Sequence, residues 1–406
     1  MTIPPDNARP APTPWGLIIL LGAMTGFAPV SIDMYLPALP SIGKTLGASA
    51  GATQATLSAF LAGMAIGQFI YGPASDRFGR RAPVMVGAVV YMAASVLCAL
   101  APSIEWLIAG RFLQALGGCA GAVIARAVVR DRFGHTDTAR VLSLLMLIMG
   151  LAPILTPLAG GWVMLVAGWR GIFWLLAGFG VAICVAVMLF LTESRSDETA
   201  ALARSENPFR AYAELLRQRR LIGYSLAGAL NGAVLFTYIS GSPDLIIDQY
   251  GFSPQTFGWV FGVNAFGVIG ASQVNRWLLR RHHPDYVLGR ASLVASGFAI
   301  LMFADAATGL GGMWLLLPLL FMTLASYGLM QGNTMAGALS VDPRRAGSIS
   351  ALMGGMSFGV GAFASWASGA FHDGTARPMT GVMLVALLGS AAAIWLLALP
   401  RDQAGD

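Results

Sequence analysis

Charge is scarce in this chain. Only 11% of its 406 residues are Asp, Glu, Lys or Arg, against about 25% in soluble domains, which excludes an ordinary soluble fold. Histidine is scarcer still: His135, His282, His283 and His372 are the four copies, and all fall in or beside polar loops. There is no HExxH pair and no GxSxG elbow with partners, so neither a zincin-type metal site nor a hydrolase nucleophile is present. A P-loop of the form GxxxxGK[ST] is missing too, which removes the phosphate cradle of an ATP-driven pump. Cysteine is limited to Cys98, Cys119 and Cys184, each inside an apolar stretch and without metal-type spacing. They read as small packing residues. No metal, no cofactor and no catalytic residue is expected, and the chain is not expected to be an enzyme.

These absences leave a chain made chiefly of apolar residues. Hydrophobic residues make up 56%, and the mean hydropathy is +0.69. Fifty glycines suit close helix packing in lipid, where small residues let backbones approach. A membrane helix needs about 20 mainly apolar residues. The runs between charges predict spans at 15–37, 53–74, 82–101, 105–127, 141–164 and 170–191, then at 220–242, 256–277, 287–306, 312–338, 347–371 and 378–399. The expected fold class is all-α, with twelve transmembrane helices in two six-helix bundles, 15–191 and 219–399. The ninth span is the shortest, with Arg290 and Asp305 at its ends, where a long arginine can snorkel. The Pro-rich residues 1–14 are expected to be disordered, and 400–406 form a short tail. The first apolar run is too long for a signal-peptide core, so an uncleaved first helix is expected.

A net charge of +6 does not point to nucleic acid, since the arginines sit between apolar spans and not on one soluble face. They set orientation instead. Lys44, Arg170 and Arg377 fall in one set of loops and Arg111 within a span, while the other 21 of the 25 basic residues fall on the opposite side. Both termini are therefore expected in the cytoplasm. The central segment 192–218 includes "ENPFRAYAELLRQRR", which predicts a short cytoplasmic helix in a solvated linker. "LGAS" at 46–49 and "YGFS" at 250–253 lie 204 residues apart, each after an odd span and before an even one. Parallel six-helix repeats of this kind are a transporter design.

The loop after span two reads "GPASDRFGRRAPV", residues 72–84. Its spacing, Gly72, Asp76, Arg77, Gly79, Arg80 and Arg81, resembles the loop signature of the major facilitator superfamily. Gly72 and Gly79 permit close backbone approach or unusual φ/ψ. Asp76 can face a helix amino-terminus, where a negative charge is favoured by about 0.3–1 kcal/mol. The resemblance implies that this helix is span eleven, starting near Gly347, and that Arg80 pairs with Asp131. "RFLQALGGCAGAVIARAVVRD" (111–131) is similar to the family's fourth-span motif, with Arg111 and Gln114 one turn apart. "GLAPILTPLAGG" (150–161) resembles its fifth-span antiporter motif, with Thr156 where glycine is usual. Pro153, Pro157, Gly160 and Gly161 would bend and pack that helix. "IDMYLPALP", "YISGSPDLIIDQYGFSPQTFG" (238–258) and "GVNAFGVIGASQVN" (262–275) are similar to bicyclomycin-resistance (Bcr/CflA) drug exporters, a twelve-span drug:proton antiporter group.

Asp33 closes an apolar run that holds no other charge from Trp15 onward. A carboxylate costs roughly 2.5–3.5 kcal/mol at the centre of a membrane helix. Asp33 and Arg111 lie at depths that differ by about 3 Å at 1.5 Å per residue, so they can neutralise one another. Alternation between that pairing and protonation would make Asp33 a proton carrier, as the resemblance implies, with Arg111 as its coupling partner. Pro29 cannot bond back to the carbonyl of Thr25, which opens the helix near the acid. No second acid precedes Asp33 in span one, which favours neutral or zwitterionic substrates over cations. Met34, Tyr35, Gln114, Tyr238, Asn264, Gln273, Tyr327, Gln331 and Asn333, with Phe236 and Phe261 as apolar walls, make a mostly apolar cavity lining with a few polar anchors.

The resemblance thus implies a secondary transporter of the bacterial inner membrane. It would export small organic drugs in exchange for protons, as a monomer in the lipid bilayer and without nucleic acid. The alternative is proton-coupled export of a metabolite such as a nucleoside, amino acid or sugar.

Overall fold

The computed structural model describes residues 15–133, 135–197, 201 and 208–399. Both expected tails, 1–14 and 400–406, and most of 198–207 in the linker lie outside that range. All regular structure among the described residues is helical. Ten helices are each long and apolar enough to cross a bilayer, and the bent pair Trp15–Thr25 and Phe27–Leu46 makes an eleventh. One of the ten, Leu147–Phe190, has 44 residues. That is about 66 Å, twice the roughly 30 Å of hydrocarbon. It breaks at Gly168, where φ is 64°. The chain doubles back there. Arg132, before this helix, donates to the Thr192 carbonyl just after it at 3.2 Å, whereas Arg170 beside the break reaches the Ala101 carbonyl between spans three and four. The count is therefore twelve crossings.

The first of these is Trp15–Thr25 with Phe27–Asp33. Spans two to four are Ala50–Phe78, Arg81–Ala99 and Ile104–Arg132, and spans five and six are the two arms of His135–Phe190. A linker helix, Pro208–Leu215, follows. Spans seven to twelve are Arg219–Pro243, Pro254–Leu278, Pro284–Thr308, Gly312–Val341, Ala346–Ala370 and Arg377–Ala393.

The faint repeat has a physical meaning. Gly47 and Gly251 both adopt positive φ, 62° and 72°, a conformation open to glycine that ends the preceding helix. Two residues on, Ser49 and Ser253 cap spans two and eight by accepting from the N–H groups of Ala52 and Thr256. Each half thus starts its second span with the same turn chemistry.

Glycine sets the closest approaches between spans. A Cβ on Gly117 would strike the span-three backbone at Tyr91, and one on Gly121 would strike the Met24 carbonyl of span one. Between the halves, spans two and eleven meet through Gly51 and Gly369, while spans five and eight meet through Leu158 and Gly258. The large apolar side chains left exposed, such as Trp162, Trp259 and Trp314, are those a bilayer would cover.

The linker helix is not a free connector. Tyr212 is buried and lies edge-on to Phe69 of span two, with centroids 5.5 Å apart. Glu214 takes Arg345, just before span eleven, at 2.8 Å. The helix fastens the ends of the same two spans that close against one another.

Candidate functional site

The site begins with a broken helix. Pro29 supplies no N–H for the Thr25 carbonyl, and the chain bends by 43° between Trp15–Thr25 and Phe27–Leu46. The Thr25 hydroxyl turns back to the Gly22 carbonyl at 2.7 Å. Asp33 ends the short helix after the bend and is 4% exposed. Among the described residues it has no salt-bridge partner within 4.0 Å. Span five presses on the next residue, since a Cβ on Gly160 would run into the Met34 carbonyl.

Arg111 is fully buried in a cage of aromatic faces. Its guanidinium carbon lies 4.2 Å from the Phe60 centroid, 4.5 Å from Tyr35 and 5.8 Å from Phe173. Such stacking suits a weakly hydrated planar cation. Nη1 donates to Gln114 Oε1 at 2.6 Å, and Gln114 Nε2 donates to Ser95 Oγ at 2.8 Å. Nε and Nη2 have no partner.

The expected Asp33–Arg111 ion pair is therefore not formed. Depth was matched but direction was not. Tyr35, two residues past Asp33, is the side chain that meets Arg111, and two residues along a helix turn the direction by about 200°. The same finding corrects the lining. Tyr35, bonded to Thr56 at 2.7 Å, and Gln114 belong to the interior of the first half and not to a pocket between halves.

In the second half, Asn264 donates to the Tyr238 hydroxyl at 2.9 Å, and the Tyr238 ring stacks on Phe261 with centroids 5.3 Å apart. Spans seven and eight, which carry Tyr238 and Asn264, both pack against the 36–38 turn that follows Asp33. Tyr238, Phe261 and Asn264 thus lie together on these two second-half spans. Phe236 does not join them. It packs on Phe358 and Gly361 of span eleven. Gln331 accepts from Asn231 at 3.3 Å, and Tyr327 is half-buried. Asn333 donates to Asn275 Oδ1 at 2.9 Å.

Gln273 is exposed and points away from this group. It lies nine residues after Asn264, two and a half turns on, whereas Asn275 lies eleven residues on, close to three full turns. Asn275, missed in the sequence, holds the place given to Gln273.

The loop at 72–81 forms a bonded knot. Arg80 is 3% exposed; it donates through Nε to Asp131 at 2.8 Å and through Nη1 to Asp76 at 2.5 Å and Ser75 at 2.9 Å. The Arg80–Asp131 contact is the one the motif implied. Asp76 does not cap span eleven, because its side-chain partner is Arg80 one turn away. Gly79 has φ of 94°, and a Cβ there would strike the Glu193 carboxylate. Gly72 sits inside a helix with nothing near its Cβ position, so no close approach requires glycine there.

Glu193 is a second residue that the sequence pattern did not reveal. It accepts from the N–H groups of Arg80, Arg81, Ser194 and Arg195 at 2.9–3.3 Å. Arg195 in turn donates to the Arg77 carbonyl at 2.6 Å. Partial burial would raise the Glu193 pKa, but these four donors outweigh it and hold the carboxyl below its ordinary range. Arg81 reaches back to the Met188 carbonyl at 3.1 Å.

In span five, Pro153 and Pro157 lie inside the helix, and Thr156 bonds back to the Ala152 carbonyl at 2.7 Å. Gly160 faces span one, while a Cβ on Gly161 would lie 3.3 Å from the Pro254 carbonyl of span eight. The motif thus sits on the seam between the halves.

That seam is tight on the face away from the 72–81 loop. There Ser58 meets Ser365 at 3.0 Å, and Lys44 meets Asp248 at 3.5 Å. A cavity of about 250 Å³ lies there, lined by Lys44, Thr53, Gln54, Asp244 and Asp248. Spans two and eleven stay in contact as far as Phe69 and Gly355. Beyond that they loosen. A Cβ on Gly347 would find only Arg130, at 3.9 Å.

Twelve helices in two halves, a hinge beside a lone buried acid and a knotted loop between spans two and three define a membrane transporter. The family model of the Major Facilitator Superfamily matches residues 21–365, and the chain belongs to that superfamily. It is 35% identical over 394 residues to an uncharacterized MFS-type transporter of Bacillus subtilis, covering 96% of each chain. It is 29% identical to a bicyclomycin resistance protein homolog of Haemophilus influenzae, over 94% of this chain and 95% of that one. It is also 31% identical to the multidrug resistance protein MdtL of Escherichia coli, over 80% and 81%. The backbone matches a crystal structure of a D-xylose-proton symporter with a TM-score of 0.72, covering 95% and 98% of the two chains. At 12% identity that likeness concerns the fold alone. The relatives are transporters and not enzymes, and the chain is a multi-pass membrane transporter of this superfamily.

Proposed function

We propose that this chain exports small organic drugs in exchange for protons. It does so as a monomer in a bacterial inner membrane, with the 72–81 loop and both termini in the cytoplasm. The observation that carries the reading is Asp33, a buried carboxyl without an ion-pair partner, placed just after the bend in span one and next to Met34, whose carbonyl meets span five. An unpaired carboxylate is costly there, and a proton removes that cost. Protonated and ionised Asp33 favour different arrangements of the hinge, because a ligand shifts an equilibrium only by its differential affinity. Drug binding beside Tyr238, Phe261 and Asn264 then responds to the proton reciprocally. The orphan Nε and Nη2 of Arg111 supply the alternative partner when span one rearranges. The knot around Arg80 holds the cytoplasmic gate. Names of relatives, one for bicyclomycin resistance and one for multidrug resistance, support the substrate class.

The test is transport in proteoliposomes under an imposed pH gradient, reading drug accumulation and proton release together. The wild type should concentrate drug. Asp33→Asn should bind drug yet fail to accumulate it, and its binding should lose its pH dependence through this group. Uphill accumulation by Asp33→Asn would place the coupling site elsewhere. Resistance profiles in a pump-deleted host, across phenicols, bicyclomycin, sulfonamides and lipophilic cations, would define the range.

A further inference from the structure

Where span eight passes into span nine the chain reads "RWLLRRHHPDYVLGR", residues 276–290. The segment holds four arginines, Arg276, Arg280, Arg281 and Arg290, and one acid, Asp285. Asp285 is buried, and the Tyr224 hydroxyl donates to it at 2.6 Å. All four arginines are exposed, and among the described residues none has a carboxylate within 4.0 Å. Six crossings separate this segment from the loop at 72–81, so the two share a face of the membrane. Their chemistry differs. Arg80 is held by Asp76 and Asp131, and Arg81 by the Met188 carbonyl.

Two of the four arginines lie against aromatic rings instead. The guanidinium carbon of Arg281 is 5.5 Å from the Trp277 centroid, and that of Arg290 is 5.3 Å from Tyr286. His282, next to Arg281, stacks on the same Tyr286 ring with centroids 5.2 Å apart. These five side chains form one ladder. Orienting a membrane protein needs positive charge but no such stacking. The ladder also stands where lipid meets water, since Trp277 is in the last turn of span eight and Tyr286 in the first turn of span nine. Trp259 is exposed at the far end of span eight, where neighbouring Gly258 is shut against Leu158 of span five, so it faces lipid. Trp277 lies five full turns further on and faces lipid too. In span nine, Tyr286 shares a face with the exposed Leu293 and Ile300. Arg290, one turn past Tyr286, turns back to the ring as a snorkelling arginine does.

We propose that this ladder binds the phosphodiester headgroup of an anionic phospholipid. Arg281 and Arg290 donate to the phosphate, and the acyl chains lie along the exposed faces of spans eight and nine. A guanidinium fork matches phosphate oxygens. Each basic group at a membrane surface favours anionic lipid by about fivefold. The apolar faces beside the ladder select a lipid over a free phosphate. The site requires only that the chain spans a bilayer, and it stands whatever solute is carried and whether or not protons are exchanged.

The test is native mass spectrometry of the purified full chain, titrated with phosphatidylglycerol and with phosphatidylcholine of the same acyl chains. Glycerophosphoglycerol serves as the headgroup without chains. The wild type should bind phosphatidylglycerol about tenfold more tightly than phosphatidylcholine, or better. Arg281→Gln and Arg290→Gln should each weaken phosphatidylglycerol binding by about fivefold. Trp277→Leu should weaken it by about threefold, the scale of an exposed cation–π contact. Phosphatidylcholine binding and the unfolding midpoint should hold in all three. Arg217→Gln, which removes an exposed arginine outside the ladder, should leave phosphatidylglycerol binding unchanged. The assignment is overturned if the wild type binds the two lipids alike. It is also overturned if Arg217→Gln weakens binding as much as the ladder variants do, because overall charge would then attract the lipid. Competition by glycerophosphoglycerol as strong as that of the whole lipid overturns it too, leaving a site for a free phosphodiester.

Discussion

In spans one to six the polar groups within the bundle include titratable or charged side chains without opposite charges beside them: Asp33, and Arg111 among aromatic rings. In spans seven to twelve they are mostly amides and hydroxyls that meet one another, Asn231 with Gln331, Asn275 with Asn333 and Asn264 with Tyr238. The charge buried there near the basic face, Asp285, is occupied by the Tyr224 hydroxyl at 2.6 Å. Neutral pairs keep their bonds across the physiological pH range, so they fix helices in place. Unpaired charges change partners when a proton or solute arrives. Under the proposed proton coupling the first half switches and the second holds.

The largest expected effect lies on the switching side. Arg111→Ala should cut proton-driven drug accumulation by about tenfold or more, the scale of a lost charge-assisted contact. Arg111→Lys should recover only part, because an ammonium replaces neither the planar stacking on Phe60 and Tyr35 nor the fork to Gln114. Full activity of Arg111→Ala in the same vesicles would erase the distinction between the halves.

Next in size is the gate. Arg80→Ala leaves Asp131 without its partner, and breaking a buried pair costs about 3–5 kcal/mol. Because the Asp76 side chain is 43% exposed, solvent recovers part of this, and a loss of about 2 kcal/mol is expected in chemical or thermal unfolding. Asp76→Asn should be milder in stability. It should slow transport while drug binding holds, and binding lost in proportion to flux would count against a gating role.

The spans and the loop motif were legible because each is local. Apolar runs fix spans, and Gly79 with Arg80 and Asp131 follows a pattern of residue types. What was not legible depends on rotation about a helix or on distant chain. Asp33 and Arg111 agreed in depth, but the bend at Gly26 and the 200° step to Tyr35 decided which faced the guanidinium. Glu193 lies 113 residues from Arg80 in a segment without periodicity, so nothing local announced it. Asn275 was within reach, since counting turns from Asn264 separates it from Gln273. The linker helix was foreseen, but not the burial of Tyr212 against Phe69.

The holding side predicts smaller effects. In a double-mutant cycle on Asn275→Leu and Asn333→Leu, the coupling energy in unfolding should be about 0.6 kcal/mol, the average for hydrogen bonds between membrane helices. Proton coupling should be untouched. A loss of pH-dependent drug binding in either variant would show that the second half switches too.

The smallest expected effect is on Glu193, whose carboxyl is held below its ordinary range. A depressed native pKa means that the folded state binds fewer protons than the unfolded one. The stabilisation is therefore complete above the unfolded value of 4.5 and is lost as pH falls through the lower native value. The carboxylate sits at the amino-terminus of span three, where such a charge contributes at least 0.3 kcal/mol, and its exposure keeps the contribution near that lower bound, about 0.3 kcal/mol. Glu193→Gln should thus lower the unfolding midpoint slightly at pH 7 and progressively less at acid pH, the two proteins converging below the native pKa. A difference that stays constant from neutral to acid pH would mean that Glu193 acts through shape and hydrogen bonding alone, with its charge contributing nothing to the knot.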